Sequence, residues 1–199
     1  MSIFPSLPED HQLDSVFIRF PATVTPLLEY HDRVLRDSSP LTVAERELIA
    51  AYVSALNACT YCHGSHVLAA SAFGIDENLF KGLMSDIESC AIETKLKPLL
   101  GYVRKLTLTP SMIVEADAAA VYAAGWDEQA LFDAISVCGL FNLMNRIVEG
   151  TGTRVNPLVM PEEDKQARKA RLAGGADSSD PHRAEKSYSK LAAIWGIEE

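Results

Sequence analysis

Two cysteines and two histidines fall within eight residues, Cys59-Thr60-Tyr61-Cys62-His63-Gly64-Ser65-His66, and Glu47 lies twelve positions before the first cysteine. These side chains include what a thiol needs to reduce a peroxide. There is a nucleophilic sulfur, a second sulfur to resolve the oxidised product, an imidazole base and a carboxylate to orient that base. On a helix each residue turns about 100°, which puts Cys62 about −60° and His66 about −20° from Cys59, all on one face. His66 follows Cys62 by four residues, the spacing at which helical side chains meet. His63 stands four after Cys59 but is turned roughly 100° from Cys62, so it is the poorer partner for that thiol. Both cysteines fall in or just before a first helical turn, where free N–H groups and the helix dipole favour a thiolate.

Other chemistry fits parts of the same segment. Cys59-Thr60-Tyr61-Cys62-His63 is a literal CxxCH, the c-type haem attachment pattern, but haem leaves Glu47 and His66 without a role. Structural zinc wants four ligands, and the segment supplies three without an evident fourth. A helix that merely carries two thiols is the plainest reading, with thiol pKa values near 8.5.

The elements that must position these groups are all helical. Strand-like alternation is missing, and Pro, Gly and cap residues divide the chain into helix-length segments. An irregular arm is expected over 1–20. Helices are then expected over about 24–36, 43–56, 60–73, 76–85, 91–106, 111–124 and 127–149. Thr42 and Glu45 form a capping-box pair that starts the second of these. Glu47 lies on that helix, on a face continued by the small residues Ala51, Ser54 and Ala58, which another helix can approach closely. A carboxylate there is costly to bury alone, and His66 is the partner that resolves the cost. The surface alternative is a solvated Glu47 beside Glu45 and Arg46.

The domain is expected over 21–160, followed by a charged arm over 161–199. Within that arm Gly174–Pro181 reads as a flexible linker, and Tyr188, Leu191, Ile194 and Trp195 form an apolar stripe. The stripe needs a surface to bury it, on the same domain or on a neighbouring subunit. His11 and His182 are expected to be solvated, His31 to be a packing or helix-surface residue, and Arg146 to be a structural ion-pair or capping residue. Trp126, Phe132, Phe141, Met144 and Ile147 are expected in the core or at an interface, with Cys90 and Cys138 as buried small hydrophobes.

At 199 residues and 48% hydrophobic, the chain suits one domain with a substantial core. Its net charge of −9, without a basic stripe, argues against nucleic acid and anionic membranes as partners. The first residues lack the basic and apolar regions of a secretory signal, and no apolar run approaches the roughly 18 residues of a membrane span. The expected location is the cytoplasm, where a close cysteine pair is catalytic or metal-binding more often than structural.

The whole pattern resembles the signature of the alkyl hydroperoxide reductase D (AhpD) family, within the carboxymuconolactone decarboxylase-like superfamily. Its elements here are Glu47, Cys59, Cys62 and His66, with the flank Leu41-Thr42-Val43-Ala44-Glu45-Arg46-Glu47-Leu48-Ile49-Ala50. Gly125-Trp126, Phe141-Asn142-Leu143-Met144-Asn145-Arg146 and Gly150-Thr151-Gly152 resemble its peroxidase-related branch. The resemblance covers about residues 20–158. It implies an all-α, AhpD-like fold assembling into a homo-oligomer, a trimer or hexamer, and a thiol peroxidase using no metal, haem or other cofactor. In that scheme Cys62, activated through His66 and Glu47, attacks the peroxide. Cys59 resolves the sulfenic acid as a disulfide, and a lipoyl-like or thioredoxin-like dithiol restores both. Tyr61 stands where some members carry another histidine. The decarboxylase side of the superfamily generally lacks both cysteines. Disulfide exchange without peroxide chemistry, and a non-catalytic oligomeric scaffold or binding protein, are the alternatives.

Overall fold

A computed structural model describes residues 3–197. Among them every extended element is a helix, and the nearest approach to a sheet is one isolated bridge between Ala176 and Ala184. Ten α-helices follow in order: α1 Leu13–Arg19, α2 Val24–Leu35, α3 Val43–Leu56, α4 Thr60–Ala72, α5 Leu79–Ser85, α6 Leu96–Leu108, α7 Glu115–Ala123, α8 Glu128–Thr151, α9 Glu162–Ala173 and α10 Ser189–Ile194. Three short 3₁₀ turns, each opened by a proline, sit at Pro21–Thr23, Pro110–Met112 and Pro157–Val159.

The centre is α3. Thr42 Oγ1 accepts the Glu45 N–H at 3.1 Å while Glu45 Oε2 accepts the Thr42 N–H at 2.7 Å, a reciprocal cap that fixes where the helix begins. Its residues are buried nearly all round, from Val43 and Leu48 through Ile49, Ala50, Ala51, Tyr52 and Val53, as a helix enclosed by others must be. The chain then reverses in three residues. Ala58 takes φ 55°, a left-handed conformation uncommon for a residue with a Cβ, and α4 returns along α3. The small face of Ala51 and Ser54 lets the two helices lie close. On the other side of α4, a Cβ on Gly64 would stand 3.0 Å from Pro157 Cδ and 3.2 Å from Asn156 Oδ1, so glycine is what admits the Pro157 turn.

The long helix α8 packs on α2, α3, α4 and α6. Asp127 caps its start by accepting the Ala130 N–H, and Gly152, at φ 82°, ends it. It is 24 residues long and apolar enough to cross a membrane, which the sequence reading did not anticipate; half of the relevant window is buried within the fold. In the bundle it is a core helix, carrying Val137, Cys138, Phe141, Met144 and Val148 inward.

Several local expectations change. The N-terminal arm is not wholly irregular: α1 buries Val16 and Phe17. His11 is buried, its Nδ1 2.8 Å from the Pro8 carbonyl, and half-buried His182 donates from Nδ1 to the Ser39 carbonyl, so neither is solvated. Arg146 is exposed and bonds the Asn142 carbonyl within its own helix. Phe132 is 63% exposed, outside the core. Helices α6 and α7 begin five and four residues later than expected. Residues after Gly174 fold back on α2 rather than forming a free linker.

Candidate active site

The expected four residues converge between α3 and α4. Glu47, with no exposed surface, receives a hydrogen bond from His66 Nδ1 on its Oε2 at 2.5 Å. The surface alternative for this carboxylate is therefore excluded. What the sequence did not reveal is the second partner: Arg36 Nη1, at the C-terminal end of α2, lies 2.6 Å from Glu47 Oε1, both side chains almost fully buried. Burial alone would push the Glu47 carboxyl up. The Arg36 guanidinium and His66 overcome it and hold the carboxyl at about 2. The same neighbour raises Arg36 above its ordinary value although burial opposes its charge.

This three-member arrangement settles the imidazole's tautomer. Glu47 is ionised and can only accept, so Nδ1 of His66 carries a hydrogen, and in the neutral ring Nε2 holds the lone pair. Arg36 already neutralises Glu47, so the carboxylate is not a bare buried anion. Phe141 fixes the ring from α8, edge to face at 4.3 Å. His63 is turned elsewhere. It donates from Nδ1 to the Ala51 carbonyl at 3.0 Å and meets Phe80 edge-on, a cross-brace between α3 and α4.

Cys59 is the N-cap residue of α4 and is fully buried; Cys62, one turn on, is 3% exposed and lines a cavity. Both are free thiols. Hydrogen bonding from Cys62 pulls the Cys59 thiol below its ordinary value, against burial and the Glu149 carboxylate. The reciprocal interaction with Cys59, together with burial, pushes Cys62 up. The sulfur open to the cavity is Cys62, and Cys59 lies closed behind it at the helix start. Among the described residues no hydrogen bond joins His66 to Cys62. Asn145 on α8 also reaches this corner and favours an anion on Cys62. Its amide donates to Ser54 Oγ at 3.0 Å and accepts from Asn57 at 2.9 Å, so it is held rigidly.

The cavity encloses about 640 Å³ and reaches Cys62, Ser65 and His66 at its floor. His31, expected as a packing residue, lines it too. Burial lowers this imidazole to about 4, so it is neutral at ordinary pH, with Nδ1 donating to the Leu27 carbonyl. The roof is the C-terminal segment after Gly174. Asp32, 1% exposed on α2, accepts the N–H groups of Ser187, Tyr188 and Ser189 at 2.8–3.0 Å and so caps α10 from outside it. Arg46 donates to the His182 carbonyl at 2.6 Å as well as to Val34 and Asp37. Tyr188 then lies over Arg36, 5.1 Å from its guanidinium carbon, and Trp195 packs on Phe17. A wider open depression of about 940 Å³, beside Arg36–Ser38 and this segment, contains no cysteine or histidine. No group of three or more His, Cys, Asp or Glu side chains is gathered for a metal ion among the described residues.

Residues 21–89, which carry Arg36 and all four expected site residues, match the carboxymuconolactone decarboxylase family. The matched stretch is about a third of the chain. Among solved structures the chain is similar to an uncharacterized peroxidase-related protein of Ralstonia eutropha JMP134, described as an alkylhydroperoxidase AhpD core. The TM-score is 0.66 at 23% identity, covering 71% of this chain and 74% of that one. A peroxidase-related protein of Silicibacter sp. TM1040 gives the same TM-score and identity over 79% of each chain. At that identity the likeness shows the AhpD-like fold alone. No curated protein matches the chain significantly.

Proposed function

We propose that this AhpD-like protein reduces organic hydroperoxides with the Cys59–Cys62 pair. The observation that carries the reading is a buried, charge-compensated Glu47–His66 pair beside a thiol that opens on a cavity, with a second thiol closed behind it. Access decides the roles. Cys62 is the attacking sulfur because it meets the cavity, and Cys59 resolves because it does not. The proton of Cys62 leaves to His66 Nε2. The sulfur then bonds the peroxide oxygen as O–O breaks, and the leaving alkoxide takes a proton to become the alcohol. Cys62 is left as a sulfenic acid. Cys59 attacks it, S–O breaks, and hydroxide leaves as water with a proton. A lipoyl-like or thioredoxin-like dithiol returns two electrons and two protons.

With both sulfurs buried, a small peroxide reaches them more readily than a folded protein's disulfide does. A reducing compartment, the cytoplasm, keeps such a pair poised. Self-association into a trimer or hexamer belongs to the same reading. Phe132, Gly139 and Leu143 form an exposed face of α8 suited to a neighbouring helix; light scattering of the purified protein reads it.

The test is free-thiol count and intact mass before and after brief tert-butyl hydroperoxide, with peroxide loss followed under excess dihydrolipoamide. Loss of two thiols as a Cys59–Cys62 disulfide, with sustained turnover, is expected. Cys62→Ser should abolish turnover, whereas Cys59→Ser should leave a sulfur that overoxidises. Four unchanged thiols would move the protein to the scaffold reading, and thiol loss to a disulfide such as oxidised lipoamide with indifference to peroxide would indicate disulfide exchange.

A further inference from the structure

The cavity's charge runs against that of the chain. The protein carries −9 overall, yet the lining holds four cations, Arg36, Arg168, Arg171 and Lys190, against two carboxylates, Asp14 and Glu185, with Glu47 behind the wall balancing Arg36. Glu185 is already paired with Lys190. Arg168, half-buried on α9, has neither an ion-pair nor a hydrogen-bond partner among the described residues, although it lies near enough to Tyr61 and Tyr188 to bias both phenols. A cation withdrawn from water without a counter-ion is a place held for an anion.

Two further groups in the same cavity want acceptors. Arg36 Nη2 and Ser65 Oγ are buried without hydrogen-bond partners, and both residues line the space. Arg36 is 2% exposed. The remaining wall is apolar, built from Phe17, Leu28, Phe141, Met144 and Trp195. A volume of about 640 Å³ suits a ligand considerably larger than hydrogen peroxide.

We propose that the preferred substrate is an amphipathic hydroperoxide with a carboxylate head, which Arg168 receives while the apolar body lies along Phe141 and Trp195 toward Cys62. The guanidinium fork matches a carboxylate in geometry as well as charge. Ser65 and Arg36 offer their free hydrogens to oxygen acceptors deeper in the site. This inference rests on the peroxidase reading for its reaction but not for its binding site.

The experiment compares cumene hydroperoxide with its 4-carboxylate, which share one apolar body, under neutral dihydrolipoamide so that charge reports only on the peroxide. The carboxylate should have the higher kcat/KM by about tenfold at low salt. That preference should shrink as salt rises, fall toward unity in Arg168→Gln and return in part in Arg168→Lys. Equal kcat/KM for the two peroxides, or a preference untouched in Arg168→Gln, would overturn it. A second arm needs no turnover: 4-isopropylbenzoate, titrated against Trp195 fluorescence, should bind saturably and about tenfold more weakly in Arg168→Gln. Binding without turnover of either peroxide would sink the peroxidase reading and keep the anion site. Turnover of both peroxides without such binding would do the reverse.

Discussion

The floor and the roof of the cavity are held by opposite means. The floor, α3 with α4, is buried helix against buried helix, and its charges are compensated inside the fold by Arg36, Glu47 and His66. The roof, residues 174–197, is tied by backbone groups to two charged side chains, Asp32 and Arg46, with Tyr188 and Trp195 as its main apolar anchors. The difference separates what must stay fixed from what can move. Proton-handling groups need fixed geometry, and the floor gives up its structure only with the whole domain. A roof held chiefly by polar ties can lift while the bundle stands.

The sharpest way to break the floor is Arg36→Met, which leaves Glu47 buried without its cation. A loss of about 3–5 kcal/mol in urea unfolding is expected. Its pH dependence should change as well. Glu47 titrates at about 2 in the fold against 4.5 as a free group. Its contribution, about 3 kcal/mol, is thus complete above 4.5 and is lost as pH falls toward 2. In Arg36→Met the carboxyl rises and this acid limb should flatten; an unchanged limb would mean that the pair does not hold the charge.

A smaller effect, confined to the roof, is expected of Asp32→Ala. Three amides lose their acceptor, at a cost of about 1–3 kcal/mol. The readout is local: faster proteolysis between Gly174 and Lys190, and faster alkylation of Cys62 by a bulky maleimide. If both rates stay at wild-type values, the roof does not depend on this cap. The smallest effect at neutral pH belongs to His31→Phe, about 1 kcal/mol or less. His31 titrates at about 4 when folded against 6.5 unfolded. The wild type therefore loses stability as pH falls through that window, whereas the variant should not. Parallel pH profiles would show that His31 charges without cost.

The same division explains what could be read from the sequence. The bounds of α3, the turn at Asn57-Ala58 and the meeting of Glu47 with His66 are local consequences of a capping box, a short reversal and helical spacing. Arg36 carried no such mark, because its partner lies across a turn and only burial reveals the need for a counter-ion. Asn145 was equally silent, a polar residue in an apolar stretch whose partners sit on α3 and in the turn that follows it. Residues 174–181 were misread as a free linker because main-chain bonds hold them, the Val43 N–H to the Pro181 carbonyl and the Glu185 N–H to the Gly175 carbonyl, and such bonds leave no trace in residue type; the stripe beyond them docks on the same domain, one of the two surfaces expected. Helix α1 escaped for want of a cap, since Gln12 makes no side-chain bond there. Of the roles expected for the two sulfurs, the difference in access is what the fold displays: Cys62 meets the cavity and Cys59 does not.

Tyr188 rests on the guanidinium that balances Glu47, so the roof and the relay exchange free energy. Coupling of this kind is reciprocal: whatever the closed roof contributes to the charged pair, the charged pair contributes to closure. Amide exchange at Ser187, Tyr188 and Ser189 should then read the ionisation state of a carboxylate that no solvent molecule touches, making the tail a reporter wired to the interior.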